Sequence, residues 1–225
     1  MIKPRCFGVF LLILTIGCSA LVQPTTGPTT HFAGEIDAFA KQDAATPPPA
    51  SPILFVGSST IRFWETSKAF PNLPVLNRGF GGSEISDVLV YYDRVVLKYH
   101  PSMIVFYSGD NDLNRGKSVE RVVADMRVFV TKVRTDLPAT RLLVIGIKPS
   151  VARWKLEDSI RQTNREFQKL VNEKPGDVFV DVEAQVLGAD GKPRAKLFRA
   201  DGLHFNEKGY EILNTAVKPY LAIAK

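Results

Sequence analysis

Five short apolar runs, at residues 53–56, 75–76, 103–107, 142–147 and 178–182, alternate with longer stretches whose apolar residues recur at helical spacing. Four of the five runs are almost continuously apolar. A strand of that kind is buried on both faces, as in a parallel sheet covered by helices on each side. The helical stretches span 84–99, 119–137, 156–173 and 207–222. In the second of them Val119, Val122, Val123, Met126, Val130 and Val133 form the stripe of a helix packed on a sheet. The alternation predicts a three-layer α/β domain with right-handed crossovers.

A chain of 225 residues with 45% apolar and 23% charged residues suits one folded domain with a short tether. That composition excludes wholesale disorder and a multi-span membrane protein. Lys3 and Arg5 precede an apolar run at 7–17 that ends in Gly17-Cys18-Ser19-Ala20, the layout of a secretory signal peptide over residues 1–20. The run is shorter than the roughly 20 apolar residues a bilayer span requires. Two processing routes fit. Leu14-Thr15-Ile16-Gly17-Cys18 is similar to a bacterial lipobox, which would make Cys18 a lipidated first residue attached to a membrane; cleavage after Ala20 would release a soluble protein. Either places the protein outside the cytoplasm, in the periplasm, the envelope or the medium. The net charge of +6 falls to about +4 without Lys3 and Arg5, and the basic residues are scattered among acids, so no nucleic-acid footprint is expected.

Residues 21–50, rich in Thr, Pro, Ala and Gln and ending near Pro47-Pro48-Pro49, read as an extended tether, which places the domain at 51–225. Cys6 and Cys18 are the only cysteines, so the domain holds neither a disulfide framework nor a thiolate metal site.

Ligand sites in open parallel sheets lie beyond the carboxyl ends of the strands. There the sequence places Gly57-Ser58-Ser59-Thr60 after the first run, Asn77-Arg78-Gly79-Phe80-Gly81-Gly82-Ser83 after the second and Ser108-Gly109-Asp110-Asn111-Asp112 after the third. Ser59 is a nucleophile candidate because Gly57 lets the chain turn sharply at the strand end, although Ser58 and Thr60 are hydroxyls too and local chemistry does not choose among them. Gly82 and Asn111 offer donors to an oxyanion, the first from its backbone and the second from its amide. Of three histidines, His31 sits in the tether and His100 precedes Pro101, whereas His204 belongs to Asp201-Gly202-Leu203-His204, ahead of the last helical stretch. An aspartate three residues earlier can accept the imidazole N–H and set its orientation. No His-x-His, His-Glu-x-x-His or Cys-x-x-Cys supports a metal site, no Gly-x-Ser-x-Gly elbow is present, and no phosphate-binding Gly-rich loop occurs.

Taken together, the blocks resemble the SGNH/GDSL hydrolase superfamily, whose characteristic Ser, Gly, Asn and His appear here in order as Ser59, Gly82, Asn111 and His204. The resemblance spans roughly 53–222, and the Gly-Gly pair and Asp-x-x-His are most similar to the platelet-activating-factor acetylhydrolase-like branch. It implies a flavodoxin-like five-stranded parallel sheet and no metal or other cofactor. It also implies Ser59 as nucleophile, His204 as base, Asp201 as its orienting partner, and an oxyanion hole from the Ser59 and Gly82 N–H groups with the Asn111 amide. One departure is Ser58, where the family usually has Asp.

These features lead to a serine ester hydrolase acting on short acyl or acetyl esters of a small molecule, glycan or lipid. A catalytically silent glycan- or lipid-binding module on the same fold is the alternative. Arg78, beside the glycines, and Arg153 and Trp154, in an exposed-looking loop at 148–154, are candidate substrate contacts; helix packing competes with a substrate role for Arg62 and Trp64.

Overall fold

A computed structural model of the chain describes Met1 and residues 30–221. The expected signal peptide and Cys18 lie outside the described residues. Strands β1 (Ile53–Gly57), β2 (Val75–Gly79), β3 (Met103–Tyr107), β4 (Arg141–Ile145) and β5 (Val178–Val180) form one parallel sheet in the order β2-β1-β3-β4-β5. This is the flavodoxin-like order, with its switch point between β1 and β3. The helices are α1 (Ala33–Ala45), α2 (Ser59–Arg62), α3 (Thr66–Ala69), α4 (Ile85–Val90), α5 (Tyr92–Val95), α6 (Asp110–Asn114), α7 (Val119–Asp136), α8 (Glu157–Val171), α9 (Glu183–Val186) and α10 (Glu207–Val217).

Every residue of β1 and β3 is buried, which is why these runs carry no polar alternation. Successive side chains point to opposite faces. Leu54 and Val56 therefore join one core with α1, α4, α5, α7 and α8, while Ile53 and Phe55 join the other with α2, α9 and α10. Full burial of each such side chain contributes roughly 1.5–3 kcal/mol, so the central strands are the most firmly held elements and the least free to move under the loops they carry.

Three expectations differ from the structure. The helix expected over 84–99 is broken into α4, α5 and a 3-10 turn at Leu97–Tyr99. Two adjacent pairs, Tyr91–Tyr92 and Val95–Val96, are all buried in one core; neighbours about 100° apart on a straight helix do not face one side, so the chain bends at each pair. The last helix ends at Val217 and tightens into a 3-10 turn at Lys218–Tyr220, where Pro219 removes a donor. Most consequentially, residues 33–45, read from composition as tether, form α1, with Phe32 and Ile36 at 3% and 1% exposure in the core. An extended spacer would leave those two side chains in water.

Candidate active site

The site begins at Gly57. Its φ is +140°, and a Cβ there would lie 1.9 Å from the Tyr107 carbonyl oxygen, so only glycine lets β1 end against β3. Ser58 follows in extended conformation, donates its N–H to Tyr107 O at 3.0 Å and serves as the N-cap residue of α2. The geometry separates the three hydroxyls. Ser58 is fully buried and its Oγ has no hydrogen-bond partner among the described residues; Thr60 is buried; Ser59 opens into the sheet's mouth.

Ser59 Oγ lies 3.1 Å from His204 Nε2, and His204 Nδ1 lies 2.6 Å from Asp201 Oδ2. The other carboxylate oxygen of Asp201 accepts the N–H groups of Leu203 and His204, each at 2.9 Å. Partial burial works against the charge of Asp201, but the bonds from the His204 ring and the two amides outweigh it and hold the carboxyl well below its usual range. An ionised acceptor at Nδ1 selects the tautomer with its proton there, which leaves the Nε2 lone pair facing the hydroxyl. Gly202, at φ +64°, allows the tight turn that folds this loop back on Asp201.

Residues 148–154 were expected to be exposed, and the first part of that segment is not. Lys148 and Ser150 are 2% and 1% exposed. Lys148 Nζ donates to Leu203 O at 2.9 Å and sits over the Phe205 ring, while Ala152 N–H donates to Gly202 O at 3.0 Å. The segment clamps the loop bearing His204, which explains its burial. Burial pushes Lys148 down to about 8, opposed by the negative charges of Asp110 and Asp201.

On the facing wall Gly82 takes φ +75°, and its carbonyl accepts Arg115 Nη2 at 3.0 Å, with Arg115 held by Glu84 at 2.7 Å. Asn111, 7% exposed at the start of α6, donates from Nδ2 to Ser83 O at 2.9 Å and accepts Arg153 Nη2 on Oδ1 at 2.9 Å. These partners fix the orientation of the amide and leave its second hydrogen for another acceptor. Arg153 is itself anchored to Asp110 at 3.0 Å. Ser59 and Asn111 thus follow β1 and β3, the strands flanking the switch point, and Gly82 follows β2 beside them.

The residues suggested as substrate contacts separate. Arg78 is 5% exposed, and its guanidinium is taken by Asp43, Tyr99 Oη at 2.6 Å and Asn77 O at 2.8 Å, so it does not offer its charge at the mouth. Arg153 supports Asn111, whereas Trp154 remains partly exposed. Trp64 is core, donating Nε1 to Asn214 Oδ1 at 2.8 Å, and Arg62 pairs with Glu35. Sequence reasoning missed Phe63, whose ring stands edge-on to His204 at 5.1 Å under the Arg199 guanidinium, and Arg115 at Gly82. Phe63, between the noted Arg62 and Trp64, carried a positional signal; Arg115 carried none.

Moving a proton from hydroxyl to imidazole beside a fixed carboxylate turns serine into a nucleophile, the working principle of the serine hydrolases. The doubly wound sheet and the series of Ser59, His204 and Asp201 side chains have the arrangement that such chemistry requires. The model of the GDSL-like lipase/acylhydrolase family matches residues 63–212, more than half of the chain, and the protein belongs to this family of carboxylic ester hydrolases. The match begins just after Ser59 and includes Gly82, Asn111, Asp201 and His204.

Solved structures of the same fold include a candidate platelet activating factor from Streptococcus pneumonia, 23% identical with a TM-score of 0.74, covering 84% of this chain and 92% of that one. A candidate acylhydrolase from Bacteroides fragilis is 18% identical with a TM-score of 0.71, covering 82% and 94%. A variant of an acetyl-xylooligosaccharide esterase from Geobacillus is 15% identical with a TM-score of 0.63, covering 79% and 97%. No curated protein sequence matches this chain.

Proposed function

We propose that the protein hydrolyses short acyl esters, acetyl esters foremost, through an acyl-enzyme on Ser59. The observation that carries this reading is the unbroken series from Ser59 Oγ through His204 to Asp201, at 3.1 and 2.6 Å. His204 takes the Ser59 proton as Oγ attacks the ester carbonyl, then returns it to the departing alcohol; the same imidazole activates water to release the acid. The developing oxyanion is met by the N–H groups of Ser59 and Gly82 and the free amide hydrogen of Asn111. Asp201 stays ionised and holds the imidazole. Ser59, Gly82 and Asn111 follow the ends of β1, β2 and β3, while Asp201 and His204 are brought over them by the loop ahead of α10, so the residues meet without rearranging the sheet.

Two features favour a small acyl group. No long insertion separates the blocks to build a lid, and a structural neighbour of the same fold is an acetyl-xylooligosaccharide esterase. The leader-like residues 1–20, with the lipobox-like segment ending at Cys18, favour an envelope or extracellular setting, which suits polysaccharide O-acetyl groups or lipid esters as substrates. Neither a metal nor an organic cofactor has a role in this reaction scheme.

The test compares p-nitrophenyl acetate hydrolysis by the wild-type protein with Ser59→Ala, His204→Ala and Ser58→Ala proteins whose circular dichroism is unchanged. Loss in the first two with Ser58→Ala still active supports the assignment. A wild type no faster than Ser59→Ala, on acetate and longer esters alike, would favour a silent binding module instead.

A further inference from the structure

Helix α1 lies outside the region matched by the family and outside the domain expected from sequence, yet one of its faces, extended by its N-cap Phe32, attaches to the segment that carries Gly82. Phe32, Glu35, Ile36, Phe39 and Asp43 follow at helical spacing and share that face. Phe32 stands edge-on to Phe80, ring centroids 5.1 Å apart. The Arg78 guanidinium lies 5.0 Å from the Phe39 ring centroid and pairs with Asp43, which also accepts Lys98 and Tyr99. Glu35 Oε2 accepts the Gly81 N–H at 3.4 Å and lies 3.3 Å from Arg62 Nε, on the helix that begins with Ser59. Residues 78 and 81 are thus held by α1 and residue 80 by Phe32 at its N-cap, immediately before the N–H that faces the reacting carbonyl in the reading above.

We propose that α1 is a strap that sets the oxyanion loop, and that Glu35 is a positioning residue: its carboxylate fixes the Gly81 peptide and Arg62, and through them the aim of the Gly82 N–H relative to Ser59. The division of labour along the strap follows from burial. The Arg78–Asp43 pair, with side chains 6% and 14% exposed, ties the helix down and is structural. The Glu35–Arg62 pair is 33% and 47% exposed, where ion pairs contribute little to stability. Its consequence is geometric. Arg115 restrains the far side of this stretch through the Gly82 carbonyl, and neither Gly81 nor Gly82 has a side chain to pack, which leaves the Gly81 side to Glu35.

The inference rests on the ester-hydrolase reading for its kinetic arm and is independent of it in its second arm. Glu35→Ala and Glu35→Gln are compared with wild type in p-nitrophenyl acetate kinetics, thermal unfolding and amide hydrogen exchange resolved by NMR. The expected result for Glu35→Ala is a kcat lower by about 5- to 20-fold, at the low end of losing one oxyanion donor because the donor is displaced rather than removed. KM stays within about twofold and the unfolding midpoint falls by no more than the roughly 3–6 °C that one lost hydrogen bond implies, the exposed ion pair adding little. Exchange at Gly81 quickens by about tenfold, on the order expected for one lost hydrogen bond of about 1.4 kcal/mol, while Phe80, whose N–H donates to Gly57 O at 3.0 Å, is unchanged. Glu35→Gln keeps an acceptor for Gly81 and recovers most of kcat. Wild-type kcat in Glu35→Ala overturns the strap, as does equal loss in both variants or unaltered exchange at Gly81. Should the wild type prove no faster than Ser59→Ala, the catalytic reading fails instead, and the exchange arm alone decides whether Glu35 holds the loop.

Discussion

Arg153 donates from Nη2 to Asn111 Oδ1 at 2.9 Å, and this contact decides which way round the Asn111 amide sits. With the oxygen occupied by a guanidinium and one amide hydrogen given to Ser83 O, the group is locked before any ester arrives. A donor that does not reorganise during reaction is worth more than the same donor free to rotate.

Arg153→Lys is therefore expected to lower kcat about tenfold with little change in KM, because a lysine pairs with Asp110 as a point charge but does not bridge Asp110 and Asn111 as a planar fork does. Asn111→Ala should cost about 10²- to 10³-fold. The informative measurement is the double variant: if Arg153 acts through the amide, adding Arg153→Lys to Asn111→Ala produces little further loss. Independent, multiplying effects would show that Arg153 has its own contact with the substrate.

For Asp201→Asn, kcat is expected to fall by about 10⁴-fold with the fold intact, since an amide facing Nδ1 presents its own hydrogens and favours the wrong tautomer of His204. The pH profile gives a second check. The carboxyl is held well below its usual range, so its contribution to the native state is present above about pH 4, where a free aspartate is ionised, and is lost only as the pH falls further. Activity lost between pH 5 and 7 is accordingly not a titration of Asp201, and a wild type that loses stability relative to Asp201→Asn as the pH falls from 7 to 5 would contradict this assignment.

Gly57 and Gly116 both have positive φ, at +140° and +91°, and their surroundings predict different outcomes on substitution. Gly57→Ala would drive a Cβ into the β3 backbone at the strand end that turns toward Ser59, so little soluble folded protein is expected. Gly116→Ala meets nothing within 4 Å and should lose only the conformational cost, about 1–2 kcal/mol. Chemical denaturation of Gly116→Ala and the soluble yield of Gly57→Ala measure the two; equal destabilisation would mean that the close approach to Tyr107 is not what demands glycine.

The sheet was legible in the sequence because strands buried on two faces need unbroken apolar runs, and β1 and β3 have them. Local chemistry did not separate Ser59 from Ser58 and Thr60, and the order of the Ser59, Gly82, Asn111 and Asp201–His204 blocks was readable through the family they resemble; the structure brings Ser59, His204 and Asp201 into one hydrogen-bonded series. Helix α1 was hidden for an identifiable reason. Averaged over residues 21–50, composition is dominated by Thr, Pro and Ala, whereas the stripe Phe32, Ile36, Phe39 and Asp43 gains meaning only from Phe80 and Arg78, some 35 to 48 residues away. Arg78 was misjudged for the complementary reason: its neighbours in sequence line the site, and its partner in space is Asp43. Segment 148–154 looked exposed because its burial depends on contacts with Gly202 and Leu203 that no local pattern encodes.

Lys148 supplies the last prediction. Its ammonium is 2% exposed, bonded to Leu203 O and pushed down to about 8 by burial, with Asp110 and Asp201 offsetting part of the shift. An unfolded lysine keeps its proton to about pH 10.4. Between pH 8 and 10 the unfolded state thus binds more protons than the native state, and native stability from this group rises with pH; below pH 8 both states are protonated and its unfavourable contribution is nearly constant. Relative to Lys148→Met, which lacks the titration, the wild type should gain about 2 kcal/mol from pH 8 to pH 10 and change little from pH 6 to pH 8. Guanidinium unfolding of both proteins at pH 6, 8 and 10 reads this directly, and the comparison removes the other lysines and tyrosines common to the two. A stability difference that stays flat to pH 10 would show that Lys148 keeps its charge in the fold, which would require Asp110 and Asp201 to compensate burial in full.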